Sequence, residues 1–197
     1  MGRPAVATQR REQILDGLFA AIAKKGFIRC SISDVARESG LARGALHYYF
    51  ESKDQMLVEL MTALGKKHLE ALRNYRGRFS DPLDRIMSIF RFHFSPENDQ
   101  AKDRARVWIE YWGYGLACPQ VRGVIRDIQQ AFRTDIEEDL RAGIASGRFR
   151  SMSTESTAVL ILGLVEGPML QKTYDPNCIQ GNLIVDSTRS MLEASLH

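Results

Sequence analysis

Apolar residues recur at helical spacing along nearly the whole chain. Ile14, Leu15, Leu18, Phe19 and Ile22 fall on one stripe of period 3.6, which predicts an amphipathic helix. Lys24-Lys25-Gly26 closes it, with cations in the last turn and a glycine just beyond. Ser31-x-x-Asp34 has the form of a capping box ahead of Val35 and Ala36, and Gly40 ends that segment. A short helix is expected from about Ala42 to Phe50. Ser52-x-x-Gln55 then opens a long one through Met56, Leu57, Leu60, Leu64 and Leu72. Asp81-Pro82 and Asp175-Pro176 each set a cap before a proline at a first helical position. Ser95-Pro96 and Pro119 mark two further boundaries, and Ser153 caps a helix that carries Ala158 to Leu170. The pattern predicts about nine helices and offers no convincing strand, so the class is all-α. The segments 74–81 and 95–104 are the expected flexible connections.

Two stretches depart from ordinary amphipathicity. From Glu155 to Gln171 the apolar positions (Ala158, Val159, Leu160, Ile161, Leu162, Leu164, Val165, Met169, Leu170) run nearly all the way round. A surface helix shows one apolar stripe, so this helix needs cover on two sides. Gly163 and Gly167 would let another helix approach, and the last helix adds Leu183, Ile184, Met191 and Leu192. The longest apolar run, Thr157 to Val165, is too short to cross a bilayer, so no membrane partner is expected. The second stretch is residues 105–121, ARVWIEYWGYGLACPQV. Trp108, Tyr111 and Trp112 adjoin on its helix. With Phe90, Phe94 and Phe132 they either line an aromatic cavity or are simply core. Glu110 and Glu166 would add negative charge, and ring faces plus carboxylates suit a cation. His93 reads as a satisfied core residue.

Charge sharpens this picture. The 197 residues carry a net +3, but residues 1–53 hold nine Lys/Arg against five Asp/Glu, while residues 54–197 hold 18 against 19. A basic segment ahead of a near-neutral body suggests a nucleic-acid module on a carrier; the bland alternative is a solvated basic face. With 44% hydrophobic and 26% charged residues the chain can bury a core, which excludes disorder as its main state. Cys30, Cys118 and Cys178 are odd in number and widely spaced, as in a reducing cytoplasm, and Cys118 reads as packing. The opening MGRPAVATQRREQ has no apolar core, so no signal peptide is expected. His47, His68, His93 and His197 show no metal spacing. Phosphate-loop and nucleophile motifs are also missing, which argues against an enzyme and against any cofactor or metal.

The informative segment is Ser31 to Lys53, SISDVARESGLARGALHYYFESK. Two short helices about Gly40-Leu41 have helix-turn-helix spacing: glycine permits a left-handed turn and Leu41 plugs the gap. Val35, Ala36, Leu46 and Phe50 supply a small core. The second helix is left to show Arg43, Gly44, Ala45, His47 and Tyr48, with small residues where a groove must come close.

This segment resembles the TetR family of bacterial transcriptional regulators. The likeness runs over residues 9–68: the opening amphipathic helix, Gly26-Phe27, Ser31-x-x-Asp34-Val35-Ala36, Ser39-Gly40-Leu41, and Gly44-Ala45-Leu46-His47-Tyr48-Tyr49-Phe50-x-Ser52-Lys53-Asp54. The resemblance implies a homodimer that binds a palindromic double-stranded DNA operator and leaves it when a small organic effector, cationic or aromatic, occupies the C-terminal domain. It implies an N-terminal arm at 1–8, a DNA-binding domain at 9–68 with its helix-turn-helix at 31–50, and an effector and dimerisation domain at 69–197. For DNA it points to Arg3 in the arm, Ser31 and Ser33 at the start of the first motif helix, Arg43, Gly44, Ala45, His47 and Tyr48 on the second, and Lys53 on a phosphate. Ala42 stands where a capping Ser or Thr is usual, and His47 where Tyr is common. For the effector it leaves Phe90, Phe94, Trp108, Tyr111, Trp112, Phe132 and Glu166. The family's four-helix interface would take Val159, Leu162, Gly163, Glu166, Leu170, Ile184 and Met191; the alternative for these is a central core helix in a monomer.

Residues 105–121 are also similar to the family branch that contains a choline-responsive repressor of glycine-betaine synthesis, through Ala105, Trp108, Tyr111, Trp112, Gly115, Pro119 and Val121. That implies a like C-terminal fold without transferring the ligand. Repression is the family's usual mode. An activator of the same fold and an architectural DNA-binding protein without a sensor are the alternatives.

Overall fold

The computed structural model describes residues 3–27, 29–94 and 101–196, without the side chains of 3–5 and 101–104. Among the described residues there are nine α-helices and no strand: α1 (Arg3–Lys25), α2 (Ile32–Ser39), α3 (Arg43–Tyr49), α4 (Lys53–Arg76), α5 (Pro82–Phe94), α6 (Ala101–Ala117), α7 (Pro119–Ala145), α8 (Thr154–Tyr174) and α9 (Gly181–Leu196). No described helix is long and apolar enough to cross a membrane. The segment expected as an arm, 1–8, is helical from Arg3 onward, because α1 simply continues upstream; the Arg3 side chain lies outside the described residues. The boundary at Ser95-Pro96 also lies outside them.

Local signals explain several helix ends. Ser31 accepts from the Asp34 N–H while Asp34 accepts from the Ser31 N–H, a complete capping box, and Gly40 closes α2 at φ 67°. Gly26 ends α1 at φ 78°. Asp81 Oδ1 accepts from Leu83 N at 2.9 Å and Asp84 N at 3.1 Å ahead of α5, and Ser153 caps α8 through Ser156 N at 3.3 Å. Asp175-Pro176 is a correction. Asp175 is the C-cap of α8 and its Oδ1 accepts from Asn177 N at 3.1 Å, a local turn; α9 starts only at Gly181.

The helices form two compact units. The first comprises residues 1–65 together with 106–126; the second comprises 66–105 and 127–197. The first unit therefore takes its core from α1 to α4 and from the α6–α7 corner: Ile14, Leu18, Val35, Leu46, Phe50, Leu57, Tyr111 and Val121 are all buried in one cluster. α1 and α2 cross closely at Gly17, where a Cβ would stand 2.7 Å from Ser39 N and Ser39 Cβ. The second unit is built on α5, which packs on α8 and α9. Its core includes Leu83, Ile86, Phe90, Ile136, Leu140, Ala158 and Ile161. A charged network lies beside it, with Arg76, Asp135 and Asp139 buried: Arg76 Nε meets Asp139 Oδ2 at 2.5 Å, Arg85 Nε meets Asp139 Oδ1 at 2.7 Å, and the exposed Arg73 grips Asp135 at 2.8 and 3.0 Å. Burial raises the Asp139 pKa against the pull of these arginines.

Candidate nucleic-acid interface

The helix-turn-helix has a locked inner face and an open outer one. Val35, Leu46 and Phe50 are buried, Ala36 nearly so, and Leu41 packs against the same cluster. On the outer side Arg43, Gly44, His47 and Tyr48 are exposed, Tyr48 to 82%, and Ala45 is half-buried. No atom comes within 4 Å of a Cβ placed on Gly44, so the helix front is open space. Ala42 is the N-cap of α3 and makes no side-chain cap bond. The departure from a capping Ser or Thr thus leaves that helix start without the usual oxygen.

Ser31 and Ser33 are both exposed near the start of α2. The Ser31 hydroxyl donates to Asp34 Oδ2 at 2.7 Å while accepting from Asp34 N at 3.2 Å, so its proton is committed within the cap. Asp34 in turn takes Lys25 Nζ at 2.5 Å and Arg37 Nη2 at 3.0 Å. The Lys25 bond first, and then those from Ser31, hold its carboxyl far below the usual range. Lys53 is half-buried and directed inward: its ammonium donates to the Phe27 carbonyl at 2.9 Å and the Cys30 carbonyl at 2.7 Å, leaving one of three N–H groups for a phosphate.

The sensor residues fall into separate cores. Tyr111 is fully buried in the first unit, its hydroxyl donating to the Leu57 carbonyl, and Trp108 packs on that cluster. Trp112 is half-buried. Glu110 accepts from the Phe27 N–H and pairs with Arg106 at 3.3 Å, so its charge is already matched. Phe90 and Phe94 lie in the core of the second unit. Phe132 is half-buried there, 5.8 Å from the His68 ring centroid. His68 Nε2 and His93 Nε2 are 3.0 Å apart, and His93 Nδ1 donates to the Ile89 carbonyl at 2.7 Å. One turn from Phe132, Gln129 Nε2 donates to Glu166 Oε1 at 3.1 Å, and burial raises the Glu166 pKa. Tyr111 and Trp108 thus belong to the core cluster of the first unit, and Phe90, Phe94 and Phe132 to that of the second.

The interface residues also divide. Val159, Leu170 and Met191 are exposed, with Leu160, Tyr174 and Leu183 beside them on α8 and α9. Gly163 is exposed, and nothing lies within 4 Å of a Cβ placed on it. Leu162 and Ile184, by contrast, are 8% and 3% exposed and belong to the core, because they sit on the α8 and α9 faces turned inward.

Residues 14–60 match the family model for bacterial regulatory proteins of the tetR family, and residues 82–197, more than half of the chain, match the C-terminal model of BetI-type transcriptional repressors. The chain belongs to the TetR family. Its TetR-family relatives include the HTH-type transcriptional regulators BetI of Stenotrophomonas maltophilia (28% identical over 123 residues, 61% of this chain and 62% of that protein) and of Brucella anthropi (23% over 155 residues, 79% of each). The first match thus spans less than two thirds of that relative's length. Among solved structures, a putative transcriptional regulator from Saccharomonospora viridis in complex with choline has a TM-score of 0.87 at 21% identity, covering 96% of this chain and 98% of that one. FadR from Bacillus subtilis in complex with stearoyl-CoA has 0.79 at 19%, covering 94% and 99%. These show the same fold. Both matching family models describe bacterial transcriptional regulators.

Sequence reading missed the parts that hold the helix-turn-helix in place. Arg11 of α1 donates to the Tyr49 carbonyl at 2.8 Å, grips Glu59 of α4 and stacks over the Phe50 ring at 4.5 Å. Its partners are distant in sequence, so neither periodicity nor motif spacing points to them.

Proposed function

We propose that the protein is a homodimeric repressor that reads a palindromic operator with α3 and releases it when a small cationic effector enters the second unit. The observation that carries the DNA half is the open outer face of α3, where Arg43, Gly44, His47 and Tyr48 face solvent while the inner face is locked. Guanidinium, imidazole and phenol tips beside a bare glycine suit close contact with phosphates and base edges in a major groove. The dimer reading is supported by Val159, Leu160, Leu170 and Tyr174 on α8 with Leu183 and Met191 on α9, which leave an apolar face uncovered in a single chain.

The effector reading is supported by Glu166, half-buried with the Gln129 amide as its hydrogen-bond partner, and by the Phe132, His68 and His93 rings of the same unit, Phe132 lying one helical turn from Gln129. A carboxylate beside ring faces favours an organic cation over an anion. Similarity to BetI-type repressors and to a choline-bound regulator makes choline the first probe. Genomic mapping of bound sites supplies the operator. Choline and stearoyl-CoA are then titrated into the operator complex by fluorescence anisotropy. Release by choline, weakened in Glu166→Gln, supports the reading. Release by the acyl-CoA alone replaces the cation with an anionic amphiphile, and release by neither argues against both ligand classes.

A further inference from the structure

Between the first two helices lie Gly26, Phe27, Arg29 and Cys30, in a short loop, and α2 with its Ser31 cap begins directly after Cys30. That loop is held from two sides within the first unit. From α4, Lys53 donates to the carbonyls of Phe27 and Cys30 at 2.9 and 2.7 Å. From α6, the Glu110 carboxylate accepts the Phe27 N–H. The same carboxylate sits against Gly26: a Cβ there would stand 3.0 and 3.1 Å from the two Glu110 oxygens, in a backbone conformation that already favours glycine.

The Phe27 ring is part of the same joint. It meets the rings of Tyr111 and Tyr114 at 5.4 and 5.0 Å between centroids. Those two tyrosines are anchored in turn, Tyr111 to the Leu57 carbonyl and Tyr114 to Asp54 on the first turns of α4. Residues 110, 111 and 114 lie on one face of α6, so one helical face touches both the loop and α4. Glu110 lies inside the stretch 82–197 that matches the C-terminal family model, yet it folds with residues 1–65.

We propose that Glu110 is a positioning residue for DNA reading: through the Phe27 amide and Gly26 it sets where α2 begins, and with it the placement of α3 against a groove. The physical basis is that a carboxylate on a backbone N–H makes a strong, charge-assisted bond, and Phe27 is only 3% exposed, so water does not readily replace a lost acceptor. Glu110 touches no DNA in this scheme. It acts through the loop. The proposal rests on α2 and α3 being the DNA reader.

The test uses the full chain, the operator mapped with the wild type, and two readouts: operator affinity over a range of salt, and hydrogen exchange of the Phe27 amide by NMR. Glu110→Ala is expected to weaken operator binding about tenfold, the loss of roughly one strong hydrogen bond. The salt slope stays unchanged because no phosphate contact is removed. The Phe27 amide loses protection at the same time. Glu110→Gln, whose side-chain oxygen still accepts from that amide, restores both readouts to near wild type. If the alanine variant does not fold, Glu110→Asp takes its place: its carboxylate is one methylene short of the amide and is expected to give the same weakening. A folded Ala or Asp variant with unprotected Phe27 and wild-type operator affinity overturns the proposal, as does a Gln variant no better than Ala. A wild type that binds no operator overturns DNA reading by this chain, and the proposal with it; the two failures are therefore distinct.

Discussion

Arg43 and Lys53 carry the same charge at the starts of α3 and α4, but their surroundings differ. Arg43 is exposed at the front of α3, whereas Lys53 spends two protons on loop carbonyls. Arg43→Ala is expected to relax the operator's base preference at one position, by ~1–3 kcal/mol if the fork meets a guanine edge. Comparing binding to single-base operator variants checks this, and a uniform loss across all variants would make Arg43 a phosphate contact instead. His93 carries a second expectation. Burial lowers its pKa, against the smaller opposing effect of the bond to Ile89. An unfolded chain takes up this proton near pH ~6.5 while the folded chain resists it. The unfolded state then holds more protons, and stability falls as pH drops through that window, by at most ~1.4 kcal/mol per pH unit for one proton. Thermal midpoints measured between about pH 7.5 and 5.5 should fall, and His93→Phe should flatten the fall. An equal fall in the variant would assign it to other groups. The sequence marked His93 as a satisfied core residue; its meeting with His68 at 3.0 Å depends on two helices whose register no local pattern reveals.

At the level of helices, legibility followed how local the cause was. The Ser31–Asp34 box, Gly26, Gly40 and the Ser153 cap are short-range chemistry, and each was readable from neighbouring residues. Asp175-Pro176 failed because an Asx turn and a helix start use the same oxygen on the same kind of N–H. The aromatic run on α6 was legible as buried, but a period of 3.6 does not say against which core a face packs. Tyr111 joins Phe27 and Leu57, while Phe90 joins Ile136 and Leu140. Gly17 is the least legible. It looks like any helical glycine, and its reason is the crossing with Ser39 of α2. Gly17→Ala has no room without moving backbone, and forcing a methyl into such a contact costs about 1–3 kcal/mol. Chemical denaturation should show that loss. A variant as stable as wild type would mean that α1 and α2 separate at little cost.

At the scale of the molecule, two leucines two residues apart separate the core from the uncovered face of α8. Leu162 is buried within the chain, so Leu162→Arg damages the fold whatever the oligomeric state. Leu160 is 68% exposed, which makes it the cleaner probe. Leu160→Glu is expected to leave the helical content unchanged and to shift the chain from dimer to monomer in sedimentation at micromolar concentration, with operator affinity lost in parallel. A dimer that survives the change would move the contact away from α8. The apolar character of α8 all the way round was legible; which residues face inward was not, since that depends on the placement of α5 and α7. One further consequence follows from the make-up of the first unit, which closes residues 1–65 with residues 106–126. On the ribosome the helix-turn-helix emerges first, yet Val107, Tyr111 and Val121, which complete its core, are still to be made. At about 5–20 residues per second the nascent helix-turn-helix waits several seconds for them. A chain that stalls or is cut within α5 therefore carries the whole helix-turn-helix and still lacks the wall it is built against.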